Sequence, residues 1–185
     1  MEATQELVAE HNAVLLALQI LEKIGAALAV QRDPTSGHLE QLLDFFKGFV
    51  DRCHHGKEED VLFPALERCG VLRQGGPIGV MLMEHEAGRG YVKAMTDGLG
   101  RLRRGEADAA AAIRGHALAY SDLLRAHIHK ENDVLFAMAD RLLPPDVVRE
   151  MLVRFEAIER ERVGEGKHAA YHAMLHALKQ AYEVA

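Results

Sequence analysis

Hydrophobic residues along the chain recur at the three- and four-residue spacing of amphipathic helices. Near the N-terminus this stripe contains Leu7, Val14, Leu18 and Leu21, with His11 on the same face. Three later segments repeat this period. The predicted inner face of the first contains Leu39, Leu43, Phe46, Val50, Val61 and Ala65. That of the second contains Ile78, Leu82, Val92 and Leu99, and that of the third contains Ile113, Tyr120, Leu123, Val134 and Met138. No run of Val, Ile or Thr alternates with polar residues, so no strand is predicted. The pattern predicts an all-α protein.

Breaks in this pattern divide the chain into six helices, and they fall at 32–37, 70–77, Gly105, 144–145 and 164–166. Pro64 is expected to kink the second helix because it has no N–H to donate. The two shorter helices at the end are predicted over 146–163 and 167–184. We predict an antiparallel up-down four-helix bundle over residues 1–143, with a C-terminal helical hairpin over 144–185 packed on it.

Polar residues interrupt the predicted inner faces at matching places in the two halves. The block His54-His55-Gly56-Lys57-Glu58 returns as His127-Ile128-His129-Lys130-Glu131, and the pair Glu10-His11 returns as Glu84-His85. The offset is 73 residues for the first repeat and 74 for the second (127 − 54 and 85 − 11). A helical hairpin that meets its own copy about a pseudo-twofold axis would place four histidines and two glutamates at its centre.

The spacing within each block suits metal binding. His54 and Glu58, like His127 and Glu131, lie one helical turn apart, about 6 Å along the same face. An unpaired carboxylate in a protein core costs several kcal/mol, so two inward glutamates need cations or partners. The alternative is a buried polar network that pairs each glutamate with a histidine or with the preceding lysine, Lys57 or Lys130. The duplicated register favours metal.

The ligand types narrow the choice of metal. Imidazole and carboxylate without thiolate suit iron, with manganese or zinc as substitutes, and disfavour a structural zinc site. If Glu58 and Glu131 each bridge two ions, every ion receives two histidines and two carboxylate oxygens. A shared oxygen ligand would then leave about one open position on each near-octahedral ion. Open positions of this kind bind O₂, peroxide or nitric oxide.

The doubled His-x-x-x-Glu blocks and the Glu-His pairs resemble the hemerythrin-like HHE cation-binding family over residues 1–143. The resemblance implies a four-helix bundle around a non-haem di-iron centre. It also implies ligand roles, with His11, His54, His85 and His127 as terminal ligands and Glu58 and Glu131 as bridges. The oxygen-carrying hemerythrins use a fifth histidine and an aspartate at a longer spacing, which this sequence lacks, so reactive chemistry or sensing is expected in preference to reversible oxygen carriage. The pattern is nearer to the family's iron–sulfur repair proteins, but their N-terminal paired-cysteine segment does not occur here, which weakens a repair role.

Two kinds of function follow as expectations. The first is a redox-active di-iron protein, enzymatic or not, that binds or reacts with O₂, peroxide or nitric oxide in redox chemistry or stress response. Turnover would require an electron donor that the sequence does not identify. The alternative is a non-catalytic oxygen or iron sensor, or an iron store, whose bundle changes stability with metal occupancy. A metal-free interaction bundle is the third class.

Composition and charge exclude several other roles. The 185 residues, 49% of them hydrophobic, suffice for one sizeable core. The net charge of −6, with Arg101, Arg103 and Arg104 as the tight basic cluster, argues against a nucleic-acid partner. Because the sequence has no run of 18 apolar residues and no signal peptide, we expect a cytoplasmic protein without a membrane partner. Cys53 and Cys69 are expected to be free thiols, too far apart on one helix for a disulfide.

The remaining histidines give weaker signals. His55 would point to the flank of the site, where an exposed side chain is favoured over an additional ligand or a hydrogen-bond donor. His116 is expected in the core with a hydrogen-bond partner, and His129 in solvent. The stripe of His168, His172 and His176 indicates a second metal site, a sixth helix that covers the mouth of the bundle or, as favoured here, an amphipathic helix that packs through Ala169, Ala173, Leu175 and Leu178.

Overall fold

The computed structural model describes residues 1–28, 30, 35–164 and 166–184, and these contain six helices and no strand. Helix α1 is Glu2–Ala27, and α2 is a continuous rod made of Thr35–Phe45, Phe46–His55, Glu58–Leu62 and Phe63–Arg68. Helix α3 is Pro77–Arg103, and α4 joins Ala109–Lys130, Glu131–Leu135 and Phe136–Leu142. Helices α5 and α6 are Pro145–Arg162 and Lys167–Ala181. The all-α prediction is confirmed, while positions 32–34 and 165 of the predicted breaks lie outside the described residues.

Three segments of α2 and α4 are π-helical: Phe46–His55, Glu58–Leu62 and Glu131–Leu135. Such segments are rare and occur often at functional sites. Their wider turn shifts the face that the rest of the helix presents to the core. Leu135 and Phe136 are therefore buried, whereas Val134 is 51% exposed, so the predicted inner-face position of Val134 is wrong.

Proline marks two helix starts and one change of helix geometry. Pro77 and Pro145 occupy the first turns of α3 and α5, where a missing N–H costs nothing. A π segment ends just before Pro64, at Leu62, and the backbone of α2 stays helical through it, while the expected kink stays a prediction.

Helices α1 to α4 each pack against two of the others, because α1 contacts α2 and α4, and α3 contacts the same two helices. Their buried apolar side chains form two clusters. One contains Leu18, Phe46, Ile113 and Tyr120, and the other contains Leu7, Phe63, Ile78 and Phe136. In each of the four helices the histidine of the sequence repeat lies between residues of the two clusters. The two apolar clusters therefore lie on either side of the histidines along the bundle and shield them from both ends.

Helices α5 and α6 pack on α1 and α2. Helix α6 inserts Tyr171, Leu175 and Leu178 into the first apolar cluster. Ala169 and Ala173 are exposed, so their predicted packing role is wrong. The division of the chain at residue 143 remains a prediction. Within the described residues, no helix combines the length and the apolar character that crossing a bilayer requires.

Candidate metal centre

The structure brings the six predicted ligands together in the interior. None of the six side chains is more than 2% exposed, and they come from four helices: His11, His54, Glu58, His85, His127 and Glu131. Two groups of ligand atoms, each within 4.8 Å, share Glu58: one adds His11, His54 and Glu131, and the other adds His85, His127 and the further histidine His55. We call His11 and His54 the first half-site, and His85 and His127 the second half-site.

The imidazoles of each half-site face one another through their Nε2 atoms. These nitrogens are 3.0 Å apart between His11 and His54, and 3.1 Å apart between His85 and His127. Two nitrogens bound side by side to one ion at about 2.1 Å, a common metal–imidazole distance, lie about 3 Å apart. Each pair is therefore spaced as two ligands of a single cation.

The two glutamates lie between the half-sites, and each directs one oxygen to each of them. Glu58 Oε1 is 3.6 Å from His54 Nε2, and its Oε2 is 3.5 Å from His85 Nε2. Glu131 Oε1 is 3.2 Å from His127 Nε2, and its Oε2 is 3.2 Å from His11 Nε2. This is the placement that a carboxylate bridging two ions requires.

All four oxygens of these glutamates are buried without a hydrogen-bond partner among the described residues. The lysine alternative is wrong, because Lys57 donates to Glu10 at 2.5 Å and to Glu6 at 2.7 Å, while Lys130 donates to Glu84. Orphaned carboxylate oxygens at this depth are costly unless cations neutralise them. The donor set thus fits divalent metal ions.

The outer nitrogen of every imidazole is held by an acceptor from another helix. The Nδ1–acceptor pairs are His11 with Asn132 at 2.8 Å, His54 with Glu10 at 2.7 Å, His85 with Glu59 at 2.7 Å and His127 with Glu84 at 2.9 Å. When Nδ1–H donates outward, the lone pair of Nε2 points to the centre. Outer hydrogen bonds of this kind orient metal-binding histidines and raise their basicity.

Electrostatics favour a neutral imidazole at His54 and at His85, whereas the carboxylates of Glu131 and Glu84 outweigh burial and raise the pKa of His127. Burial is the main cause that lowers the pKa of His54 and that of His85. Although burial would raise it, His54 and Lys57 together lower the pKa of Glu10 to about 2. Burial and the neighbouring Glu131 carboxylate raise the pKa of Glu58 well above its usual range. Metal ligation requires neutral imidazoles, and burial favours that form at His54 and His85.

The other histidines depart from the predictions in two places. His55 is only 4% exposed, so its expected exposure is wrong, and its ring stacks on His85 with centroids 3.7 Å apart. His116 is half-buried beside Tyr91, outside the core, so its predicted core position is wrong. His129 is exposed, as expected. In the stripe on α6, His172 and His176 are exposed, and the His168 ring lies 4.7 Å from that of His172.

Sequence reasoning missed the outer acceptors, although part of their signal was present. The repeated Glu-His pairs contain Glu10 and Glu84, but each of these glutamates holds the histidine of a different helix. Glu59 and Asn132 occupy equivalent positions in the two repeats, since 59 + 73 = 132. A search for repeated polar residues next to candidate ligands would have found all four.

Comparison with known proteins agrees with this geometry. Residues 2–139 match the model of the hemerythrin HHE cation binding domain. The iron-sulfur cluster repair protein DnrN of Neisseria gonorrhoeae is 39% identical over 87 residues, which make up 45% of this chain and 55% of that protein. The aligned part of the chain therefore spans about half the length of this relative. Because the family match extends over most of its length, the chain belongs to the hemerythrin HHE cation-binding family.

Proposed function

We propose that the chain binds two iron ions, one at each half-site, with Glu58 and Glu131 as bridges between them. The observation that carries this proposal is the set of four orphaned carboxylate oxygens, with one oxygen of each glutamate directed to each half-site. One cation at each half-site would neutralise all four oxygens and bind the two facing nitrogens of that half-site. Imidazole and carboxylate ligands suit iron, and manganese or zinc are the competing ions.

We also infer that α1 to α4 form the antiparallel up-down bundle. The cyclic contacts among these helices support that order, as do the short links at 69–76 and 104–108. In such a bundle the two repeats would be related by the pseudo-twofold axis that the sequence offset predicts.

Bound iron would supply redox chemistry toward O₂, peroxide or nitric oxide. The chain's own contribution is a rigid, dry site. Phe136 stacks on His11 with centroids 5.5 Å apart, and Phe63 stacks on His85 at 5.9 Å. These rings and the outer acceptors fix the imidazole planes, and the two apolar clusters limit access of water.

A second candidate function is the repair of iron–sulfur clusters. The name of the Neisseria relative and its 39% identity support this role. Restoration of an oxidised cluster on a damaged acceptor protein would distinguish repair from ligand reduction or from sensing.

The proposal is tested by loading the protein anaerobically with ferrous iron and measuring iron per chain. We expect two irons per chain and an absorption change on exposure to air. Glu58→Ala and Glu131→Ala should each lower the iron content and abolish that change. Asp133→Ala is the matched control, because Asp133 is exposed and lies two residues from Glu131 on the same helix.

The contradicting result is an iron content that stays the same in both glutamate variants. Addition of nitric oxide or peroxide then separates the remaining classes. A catalyst consumes many equivalents of nitric oxide or peroxide per iron pair when a reductant is supplied. A sensor or a store binds the added molecule without turnover.

A further inference from the structure

A cavity of about 250 Å³ lies near the surface, where α1 and α2 meet the two C-terminal helices. Apart from Ala9 and Phe49, the side chains that line it are ionisable: Glu6 and Glu10 of α1, Glu156 and Glu159 of α5, and His168 and His172 of α6. Among the described residues, no lysine or arginine lines it. Carboxylates and imidazoles, the ligand types of the central site, are thus combined at a second place in the molecule.

The carboxylates of this cavity carry more charge than the lysine behind them can balance. The ammonium of Lys57, which comes from α2, lies between 2.5 and 3.6 Å from three of them: Glu6, Glu10 and Glu159. One ammonium offsets one of the four negative charges. Arg160 lines a neighbouring cavity and not this one. The remaining negative charge favours a further cation at this surface.

The two histidines lie on the cavity side of α6. They are one helical turn apart, and their ring centroids are separated by 4.7 Å. The buried ring of Phe49 lies beside both, with its centroid 5.3 Å from that of His168 and 6.3 Å from that of His172. Neither imidazole has a hydrogen-bond partner among the described residues. Both rings therefore have nitrogens available to a ligand.

Glu159 brings a carboxylate to the same point. Its Oε1 is 4.0 Å from Nδ1 of His168, while its Oε2 faces Lys57 at 3.6 Å. Two atoms bound to a tetrahedral ion at about 2.1 Å lie about 3.4 Å apart, so a small rotation of the His168 ring suffices. Burial and the neighbouring His168 lower the pKa of His172, which favours the neutral form that ligation requires.

We propose that His168, His172 and Glu159 form a second metal site, for one borderline divalent cation such as Zn²⁺, which joins α5 to α6. The proposal goes beyond the di-iron function and does not depend on it. Two histidines one turn apart on a helical face are a recurring zinc-binding arrangement. With three protein ligands, the fourth position of a tetrahedral ion is left for water. Because the ligands come from two helices, the bound ion stabilises the C-terminal hairpin.

The first experiment is a calorimetric titration of the iron-loaded protein with Zn²⁺, with iron and zinc per chain measured afterwards. We expect the parent to bind one zinc more than the double variant His168→Ala/His172→Ala. Glu159→Gln should weaken this zinc at least about tenfold, since even the outer partners of metal ligands are worth about that much. His176→Ala is the matched control, because His176 is exposed one turn further along α6 and does not line the cavity.

The second experiment measures the midpoint of thermal unfolding with and without zinc. At about 100 times its dissociation constant, zinc should raise the midpoint of the iron-loaded parent by about 5–10 °C. The double histidine variant should show no rise. Without zinc it should melt close to the parent, because the side chain of His168 is 36% exposed and His172 is exposed. X-ray absorption at the zinc edge should show two imidazole ligands in the parent.

The outcomes separate this inference from the proposed function. Equal zinc content in the parent and in the double histidine variant overturns the inference, and so does an equal loss of zinc in His176→Ala. Neither result changes the iron content. If the protein takes up no iron, the proposed function fails, and the difference of one zinc between the parent and the double variant still supports the second site.

Discussion

The two half-sites match where their side chains face the centre and differ where they face outward. Each has two facing imidazoles, an oxygen from each glutamate and one stacked phenylalanine. Outside these groups, Lys57 is 0% exposed, whereas its equivalent Lys130 is 38% exposed. The groups that would touch an ion thus match in the two halves, whereas these lysines behind them differ in exposure.

The C-terminal helices account for much of this divergence. Glu159 of α5 lies 3.6 Å from Lys57, and Arg162 of α5 pairs with Asp60. Gly56 sits directly under Arg162, where a Cβ would come within 2.3 Å of the guanidinium. The equivalents of Cys53, Gly56 and Lys57 in the second repeat are Ala126, His129 and Lys130, none of which is buried. Helix α5 thus covers the outer face of α2 beside its ligands, whereas the equivalent face of α4 is more exposed.

The largest effect on either half should come from removal of metal. Without cations, the orphaned oxygens of Glu58 and Glu131 remain in the core at a cost of several kcal/mol. For a chain of this length that lowers the midpoint of thermal unfolding by about 10 °C or more. Calorimetry of the iron-loaded and chelator-treated protein measures the difference.

The matched control is the double variant Glu58→Gln/Glu131→Gln. Neutral amides cost less in a core than carboxylates do, so the metal-free variant should be at least as stable as the metal-free parent. Addition of iron should no longer raise its midpoint. Equal melting of the parent with and without iron would contradict the central role assigned to the glutamates.

The next largest effect should come from the two equivalent lysines. Lys57→Met leaves the buried Glu10 without its cation, and breaking a buried pair costs about 3–5 kcal/mol. Lys130→Met breaks a partly exposed pair and should cost about 1 kcal/mol or less. Urea unfolding of both variants compares the halves directly. Equal losses of unfolding free energy in the two variants would show that the packing of α5 over α2 has no energetic consequence.

The sequence predicted the centre better than its surroundings. All six central residues follow from one helical turn of spacing and one repeat offset, which are local properties of the chain. The outer acceptors cross between helices, since His11 is held by Asn132 of α4 and His85 by Glu59 of α2. Such pairs depend on how whole helices are placed, and the periodicity of a single helix does not contain that information.

The sequence predicts where the helices begin and end better than it predicts which face of each helix is buried. The fifth helix was expected over 146–163 and is Pro145–Arg162. The π segments shift the inner face of α4, which brought Val134 to the surface. His55 was misplaced for a related reason, because α3 and the second half-site cover a flank that a single amphipathic helix would leave in solvent. The spacing of hydrophobic residues in the sequence does not reveal π segments or the packing of neighbouring helices.

An intermediate effect should follow from exchanging the unequal outer acceptors. Asn132→Asp gives His11 a carboxylate partner of the same size, which should tighten metal binding at the first half-site. Glu59→Gln gives His85 a neutral partner and should weaken the second half-site by about 10-fold to 100-fold. Competition with a chelator measures both affinities. Unchanged affinity in both variants would show that the difference between Asn132 and Glu59 has no influence on the ions.

The smallest effect should come from weakening the contact of α5 with α2. The reactivity of the two free thiols shows whether α5 still covers α2. Cys53 is 0% exposed, and burial raises its pKa to about 12, whereas Cys69 is exposed. A thiol reagent should therefore label Cys69 in the folded protein and Cys53 only after unfolding. Arg162→Ala removes a partly exposed ion pair with Asp60 and should cost less than about 1 kcal/mol. Because α5 also packs through Phe155 and Ile158, Cys53 should stay protected in this variant, and rapid labelling would mean that the ion pair, and not apolar packing, holds the cover in place.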